Sequence, residues 1–207
     1  MLTSDSDTKR SLSLSEMISA SPIAAIISDP RLPDNPIVDC NQAFIALTGY
    51  TRGEVIGRNC RFLSGPGTEP DLTQMLRAGI SERRPVMVEI TNYKKGGKPF
   101  RNAVMVAPIF DANEQLEYFL GSQVEVADAG VSMRDTRLKA AGSRIEKLTQ
   151  RQRQILLKMA AGRPNKVIAY ELGITPRTVK MHVAGVLRSL DVRTRADAIR
   201  LAVEAGF

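Results

Sequence analysis

Residues 86–93 alternate apolar and polar side chains, the two-residue period of a strand with one face in a core. Lys94-Lys95-Gly96-Gly97 follows as a glycine-containing hairpin turn, and residues 99–109 form the returning strand. Asp111-Ala112-Asn113-Glu114 turns the chain again before a last strand over 116–126. Upstream, 23–28 and 37–40 are short β-prone runs separated by the Pro- and Asp-rich loop 29–36. Residues 43–47 read as a helix stopped at Gly49. A second helix spans 72–80, with Leu72, Met75, Leu76 and Ile80 at helical spacing. Two strands, short helices and a three-stranded meander make an α+β domain with a five-stranded antiparallel sheet. Ahead of it, residues 14–20 form a short amphipathic helix, and residues 1–13 are polar and read as disordered.

The period changes after residue 127. Residues 127–147 form a charged helical linker that Gly142 should break or kink. From Leu148 onward every element reads as helix. Thr149 with Gln152 three residues on makes a capping box, and Gly162 ends that helix. Residues 165–172 form the next helix, stopped by Gly173. Thr175-Pro176 opens a third with a cap and a proline in the first turn. Thr194 caps a fourth that runs to Ala205. From Ala196 to Ala205 this last helix leaves only Asp197, Arg200 and Glu204 polar, more apolar surface than one core-facing stripe requires. The divisions are a flexible segment over 1–19, an α+β domain over 20–127, a linker over 128–147 and an all-α four-helix domain over 148–207.

Charge separates the two halves as sharply as periodicity does. Residues 1–130 carry 13 Lys and Arg against 16 Asp and Glu, a net of −3. Residues 131–207 carry 16 against 6, a net of +10, which points that half toward nucleic acid. Cys40 and Cys60 are too few for a disulfide framework. With His182 the single histidine, a Cys/His metal site or catalytic dyad has little to work with. No apolar run approaches the length that spans a bilayer, and no secretory signal opens the chain. The reading is a soluble, cytoplasmic protein without a membrane partner or a metal.

The most specific string is Gly57-Arg58-Asn59-Cys60-Arg61-Phe62-Leu63. Flanking arginines favour the thiolate over the thiol and suit an anionic group beside the sulfur. The string closely resembles the photoactive-cysteine motif of LOV domains, the flavin-binding blue-light sensors of the PAS superfamily. Three further stretches extend the resemblance over about residues 20–127: Asn92-Tyr93-Lys94-Lys95-Gly96, Phe100-Arg101-Asn102 and Phe119-Leu120-Gly121-Ser122-Gln123. By that resemblance Asn92, Asn102 and Gln123 bind the polar edge of a flavin mononucleotide ring, for which an amide carries both donors and an acceptor. Asn59 and Phe119 belong to the same site, and Arg61 and Arg77 fall where the family holds the flavin phosphate. Ser64 departs from the family's usual glutamine, and Cys40 lies outside every motif as a small buried residue. The implied chemistry is a light-driven, thermally reversible bond from the Cys60 sulfur to flavin C4a, with N5 gaining a proton and Gln123 turning its amide in response.

Residues 148–207 resemble the LuxR-type helix-turn-helix domain through Asn165-Lys166, Ala169, Leu172-Gly173-Ile174, Thr178-Val179-Lys180-Met181-His182 and Leu190-Asp191-Val192-Arg193. On the recognition helix Val179, Val186 and Leu190 face inward, with Val183 and Leu187 along the edge. Arg177, Thr178, Lys180, Met181 and Arg188 are the candidate DNA-facing residues. Asn165 and Lys166, at the start of the preceding helix, suit phosphates. His182 reads as a core residue, and Val183 stands where the family often has a basic one. Ile199, Leu201 and Val203 are the candidate dimer or interdomain residues, because in related proteins this helix is held against the sensor sheet in the dark and pairs when released.

Together these features imply a blue-light-activated transcriptional regulator that binds double-stranded DNA as a light-induced homodimer, with RNA polymerase as a partner if it activates. A helix-turn-helix regulator whose PAS domain senses redox state or a small ligand is the alternative. A flavoenzyme using Cys60 lacks a nearby histidine base, a second active-site cysteine and a nicotinamide-type loop, so the chain does not read as an enzyme.

Overall fold

A computed structural model describes residues 15–126 and 131–206, with the side chains of 131–138 excluded. Residues 1–14, including the segment read as disordered, and the first residues of the linker lie outside the described chain.

Five antiparallel strands build the N-terminal half: β1 (Ala24–Ser28), β2 (Ile37–Cys40), β3 (Val86–Tyr93), β4 (Pro99–Phe110) and β5 (Leu116–Glu125). Their order across the sheet is β2-β1-β5-β4-β3. Between β2 and β3 lie α1 (Gln42–Thr48), α2 (Arg52–Val55), a 3-10 turn (Cys60–Leu63) and α3 (Pro70–Ser81). The α2 turn was not expected. Its signal is the Thr51…Glu54 capping box, in which Thr51 N donates to Glu54 Oε2 at 2.9 Å.

Strand alternation gives the sheet two different faces. One face packs Ala24 and Ile26 with Ile37, Phe44, Val55 and Leu63, and Val86, Val88 and Ile90 beside Leu72 and Leu76 of α3. The other carries Ala25, Ile27, Met105, Ala107, Tyr118 and Leu120, buried in the same cluster as the core of the C-terminal half. Burying a side chain the size of Ile27 contributes about 1.5–3 kcal/mol, so a sheet apolar on both sides needs a second cover. Before β1, a helical turn at 15–18 buries Ile18 against that second face.

The C-terminal half is helical: α4 (Val131–Glu146), α5 (Gln150–Ala160), α6 (Asn165–Glu171), α7 (Pro176–Ser189) and α8 (Arg195–Glu204). Gly142 does not break α4. A helix-interior glycine costs about 1 kcal/mol, and buried Ala141 and Ile145 on either side anchor the helix against the core. The caps at Thr149, Thr175 and Thr194 form as the sequence predicts. Among the described residues, no helix is long and apolar enough to cross a membrane.

Candidate functional site

The inner face of the meander carries three amides on three strands. Asn92 on β3, Asn102 on β4 and Gln123 on β5 are all buried. Asn102 Nδ2 donates to Asn92 Oδ1 at 2.9 Å and to Gln123 Oε1 at 3.1 Å. Asn102 Oδ1, also buried, has no hydrogen-bond partner in this wall. A buried carbonyl with an open lone pair is unfavourable unless another donor reaches it. The wall therefore suits a planar group that presents an N–H to it. Phe119, four residues before Gln123 and on the same face of β5, is also buried.

Cys60 faces this wall from the 3-10 turn, with Gln123 Nε2 donating to its Sγ at 3.4 Å. Gly57 holds φ +84 in the turn that delivers this segment, a conformation glycine adopts without strain. The expectation of a thiolate favoured by flanking arginines is overturned. Burial pushes the Cys60 thiol up to about 11, opposed by the Gln123 hydrogen bond. Both cations point elsewhere. Arg61 is exposed and pairs with Asp34 at 2.5 and 3.0 Å, while Arg58 lies 4.3 Å over the Phe62 ring. Asn59 caps the turn, its Oδ1 accepting from Arg61 N at 3.0 Å and its Nδ2 donating to Asp34 O at 2.6 Å. Arg77 is exposed on α3, and Cys40 is buried, its carbonyl accepting from Arg52 at 2.8 Å.

Helix α8 lies against the outer face of the same sheet. Ile199 and Leu201 are buried in the shared cluster, and Val203 packs against it. Ser21, just before β1, donates to Asp197, which also closes the α8 capping box. Phe110 N donates to Gly162 O at 3.0 Å, and Arg163 pairs with Glu114 at 2.6 Å. Crevices of about 590 and 350 Å³ flank the joint, one along β3 and the other beside Tyr118. Such gaps forfeit contacts that a continuous core would make.

On α7, Arg177, Lys180, Met181 and Arg188 are exposed and Thr178 is half-buried, whereas Val179 and Val186 are buried. His182 is half-buried. Lys166 is exposed on α6, but Asn165 Oδ1 accepts from Arg195 Nη1 at 2.9 Å. That arginine also donates to Arg163 O at 2.8 Å, and desolvation lowers its pKa to about 10.

A family model described as PAS domain matches residues 23–128, just over half of the chain. The chain belongs to the PAS family. A second model, bacterial regulatory proteins of the luxR family, matches residues 146–202. The PAS domain is thus joined to a LuxR-family domain. The chain is 39% identical over 183 residues to blue-light-activated histidine kinase 1 of Erythrobacter litoralis, covering 88% of this chain and 45% of that protein. It thus spans under half of that relative's length. Among solved structures, the LOV domain of an Erythrobacter litoralis blue-light-activated histidine kinase is 37% identical with a TM-score of 0.50, covering 52% of this chain and 98% of that one. A light-oxygen-voltage domain studied with a flavin analogue is 35% identical with a TM-score of 0.52, covering 66% and 94%. The PAS domain has the LOV fold.

Four residues of the joint between this PAS domain and the LuxR-family domain were not foreseen as site residues: Ser21, Ser122, Asp197 and Arg200. Asp197 and Arg200 had read as the polar side of the last helix, yet both are buried. Their signal is faint. A helix whose apolar residues leave no complete polar stripe must bury its few charges too.

Proposed function

We propose that this protein is a blue-light-responsive, DNA-binding transcriptional regulator whose sensor, residues 20–127, holds flavin mononucleotide. The observation that carries the reading is the Cys60 sulfur facing a wall of three amides, one with an open carbonyl, in a PAS domain joined to a LuxR-family domain. The blue-light name of the Erythrobacter relative and the flavin analogue of a LOV neighbour support it.

When bound, the flavin supplies blue absorption and a ring carbon that a thiol can attack in the excited state. Cys60 holds its proton on Sγ in the dark and contributes the sulfur. Asn92, Asn102 and Gln123 hold the ring edge through their amides, with Phe119 against the ring. Arg61 and Arg77 take the phosphate, Arg61 exchanging Asp34 for it, while Asn59 fixes the turn that carries Cys60. Gln123 can present either Oε1 or Nε2, so it answers a change of proton at the ring edge by turning its amide.

The docking of α8 on the sheet is the dark arrangement in this reading. Release frees Ile199, Leu201 and Val203 to meet a second copy across a two-fold axis. Two α7 helices then reach half-sites about one DNA turn apart. Arg177, Thr178, Lys180, Met181 and Arg188 face the groove, and Asn165 and Lys166 face phosphates. The absorption spectrum of the purified protein tests the sensor. Flavin bands should bleach under blue light and return in darkness. A colourless protein, or bleaching without recovery, overturns the reading.

A further inference from the structure

Besides Asp197, the charged side chain of Arg200 on α8 enters the joint between the halves. Arg200 is 3% exposed. Its Nη1 donates to Ala103 O at 3.2 Å and to Ser122 Oγ at 3.1 Å, and its Nε donates to Glu204 Oε1 at 3.1 Å. A buried guanidinium is tolerated only where acceptors meet it, so these sheet contacts govern whether α8 rests comfortably here.

Their position on the sheet is the informative part. Ala103 directly follows Asn102, and Ser122 directly precedes Gln123. Side chains alternate faces along a strand. Asn102 and Gln123 therefore point at the candidate flavin site, while Ser122, 2% exposed, points at α8. The register sets Gln123 opposite Val104 and Ser122 opposite Met105. The guanidinium thus bridges β4 and β5 directly behind the two amides, one strand thickness from them.

We propose that Arg200 is the positioning residue through which the output helix reads the hydrogen-bond state of Gln123, by way of Ser122. The event at Gln123 rests on the function proposed above; the Arg200 contacts do not. When the Gln123 amide turns, the adjacent backbone of β5 adjusts and Ser122 Oγ moves with it. Arg200, itself buried, then loses a charge-assisted bond worth about tenfold or more in an equilibrium. The apolar contacts around Ile199 and Leu201 are non-directional and cannot register so small a shift. Ala103 O keeps the guanidinium nearby, so the bond re-forms when the amide turns back.

Hydrogen exchange of the 194–206 backbone in the full chain, dark and blue-lit, tests this, because exchange reports opening of the joint. Flavin bleaching is followed in parallel. Ser122→Ala should raise dark exchange about tenfold, with less than twofold more on illumination, while Ser122→Thr should keep the wild-type ratio. A contact that is only adhesive would raise dark and lit exchange by one factor and preserve their ratio, which overturns the proposal. A second arm needs no light. Residues without a shared partner contribute additively, whereas Gln123→Leu should change dark exchange in the wild-type background and much less in Arg200→Gln. Additive effects there overturn the link to Gln123. Absence of bleaching in the wild type would instead remove the photoreceptor reading and leave this second arm standing.

Discussion

Gln123 touches Cys60 and Asn102 at once: its Nε2 is 3.4 Å from the sulfur and its Oε1 accepts from Asn102 Nδ2 at 3.1 Å. One amide on β5 therefore meets both the thiol and the neighbouring amide, on the strand whose other face α8 covers.

In the proposed mechanism the amides and arginines hold the flavin and the sulfur bonds to it, so Cys60→Ala should retain flavin and lose the light-induced bleaching. Absorbance before and after a blue pulse checks this. Normal bleaching and recovery in the variant would refute the role of Cys60.

Gln123→Leu should still bleach but transmit poorly, since leucine cannot exchange donor for acceptor. DNA binding by the variant, compared in darkness and light, should differ by less than about twofold. An unaltered light response would place the signal on another route.

The high thiol pKa sets a pH dependence. Raised from 9.0 to about 11, Cys60 stays a neutral thiol through neutral pH. Dark alkylation should be at least about tenfold slower than that of free cysteine at pH 7.5, rising as pH passes 10. The shift is upward, so its contribution to stability is complete below pH 9 and is lost as pH rises through 11. Fast alkylation at neutral pH would contradict the raised thiol pKa.

Gly162 holds φ +78, and a Cβ there would collide with the Pro108 carbonyl while meeting Phe110 Cδ2 at 2.9 Å. Gly162→Ala should therefore push the LuxR-family domain off the sheet and raise dark DNA binding about tenfold. The substitution also strains the end of α5 by about 1 kcal/mol. Melting of the isolated half would not reveal the first effect, so binding in darkness is the deciding readout.

The strand alternation and the caps at Thr149, Thr175 and Thr194 were legible in the sequence because each is a local rule written in adjacent residues. Cys60, Asn92, Asn102 and Gln123 were legible only as separated motifs, and their convergence on one face needed the antiparallel register. The thiol pKa was misread because sequence shows that Arg58 and Arg61 are near in the chain, not that one stacks on Phe62 and the other turns to Asp34. Arg200 behind Ser122 could not be read at all, since nothing local relates residues 78 positions apart.

The salt dependence of DNA binding tests the output half. A basic domain that displaces counterions should bind more weakly as salt rises, with a steep log–log slope. Lys166→Ala should weaken binding about equally on all sequences, whereas Arg177→Ala and Lys180→Ala should relax sequence preference. A flat salt response would contradict phosphate contact.

One titration reaches both the proposed photoactive cysteine and the proposed release of the DNA-binding domain. DNA binding by the wild type and by Cys60→Ala is measured by fluorescence anisotropy on the same labelled duplex, in darkness and under blue light. Binding should tighten on illumination in the wild type alone, with Cys60→Ala held at the dark value. Equal binding by the wild type in darkness and light, or an equal light response in Cys60→Ala, would contradict the account.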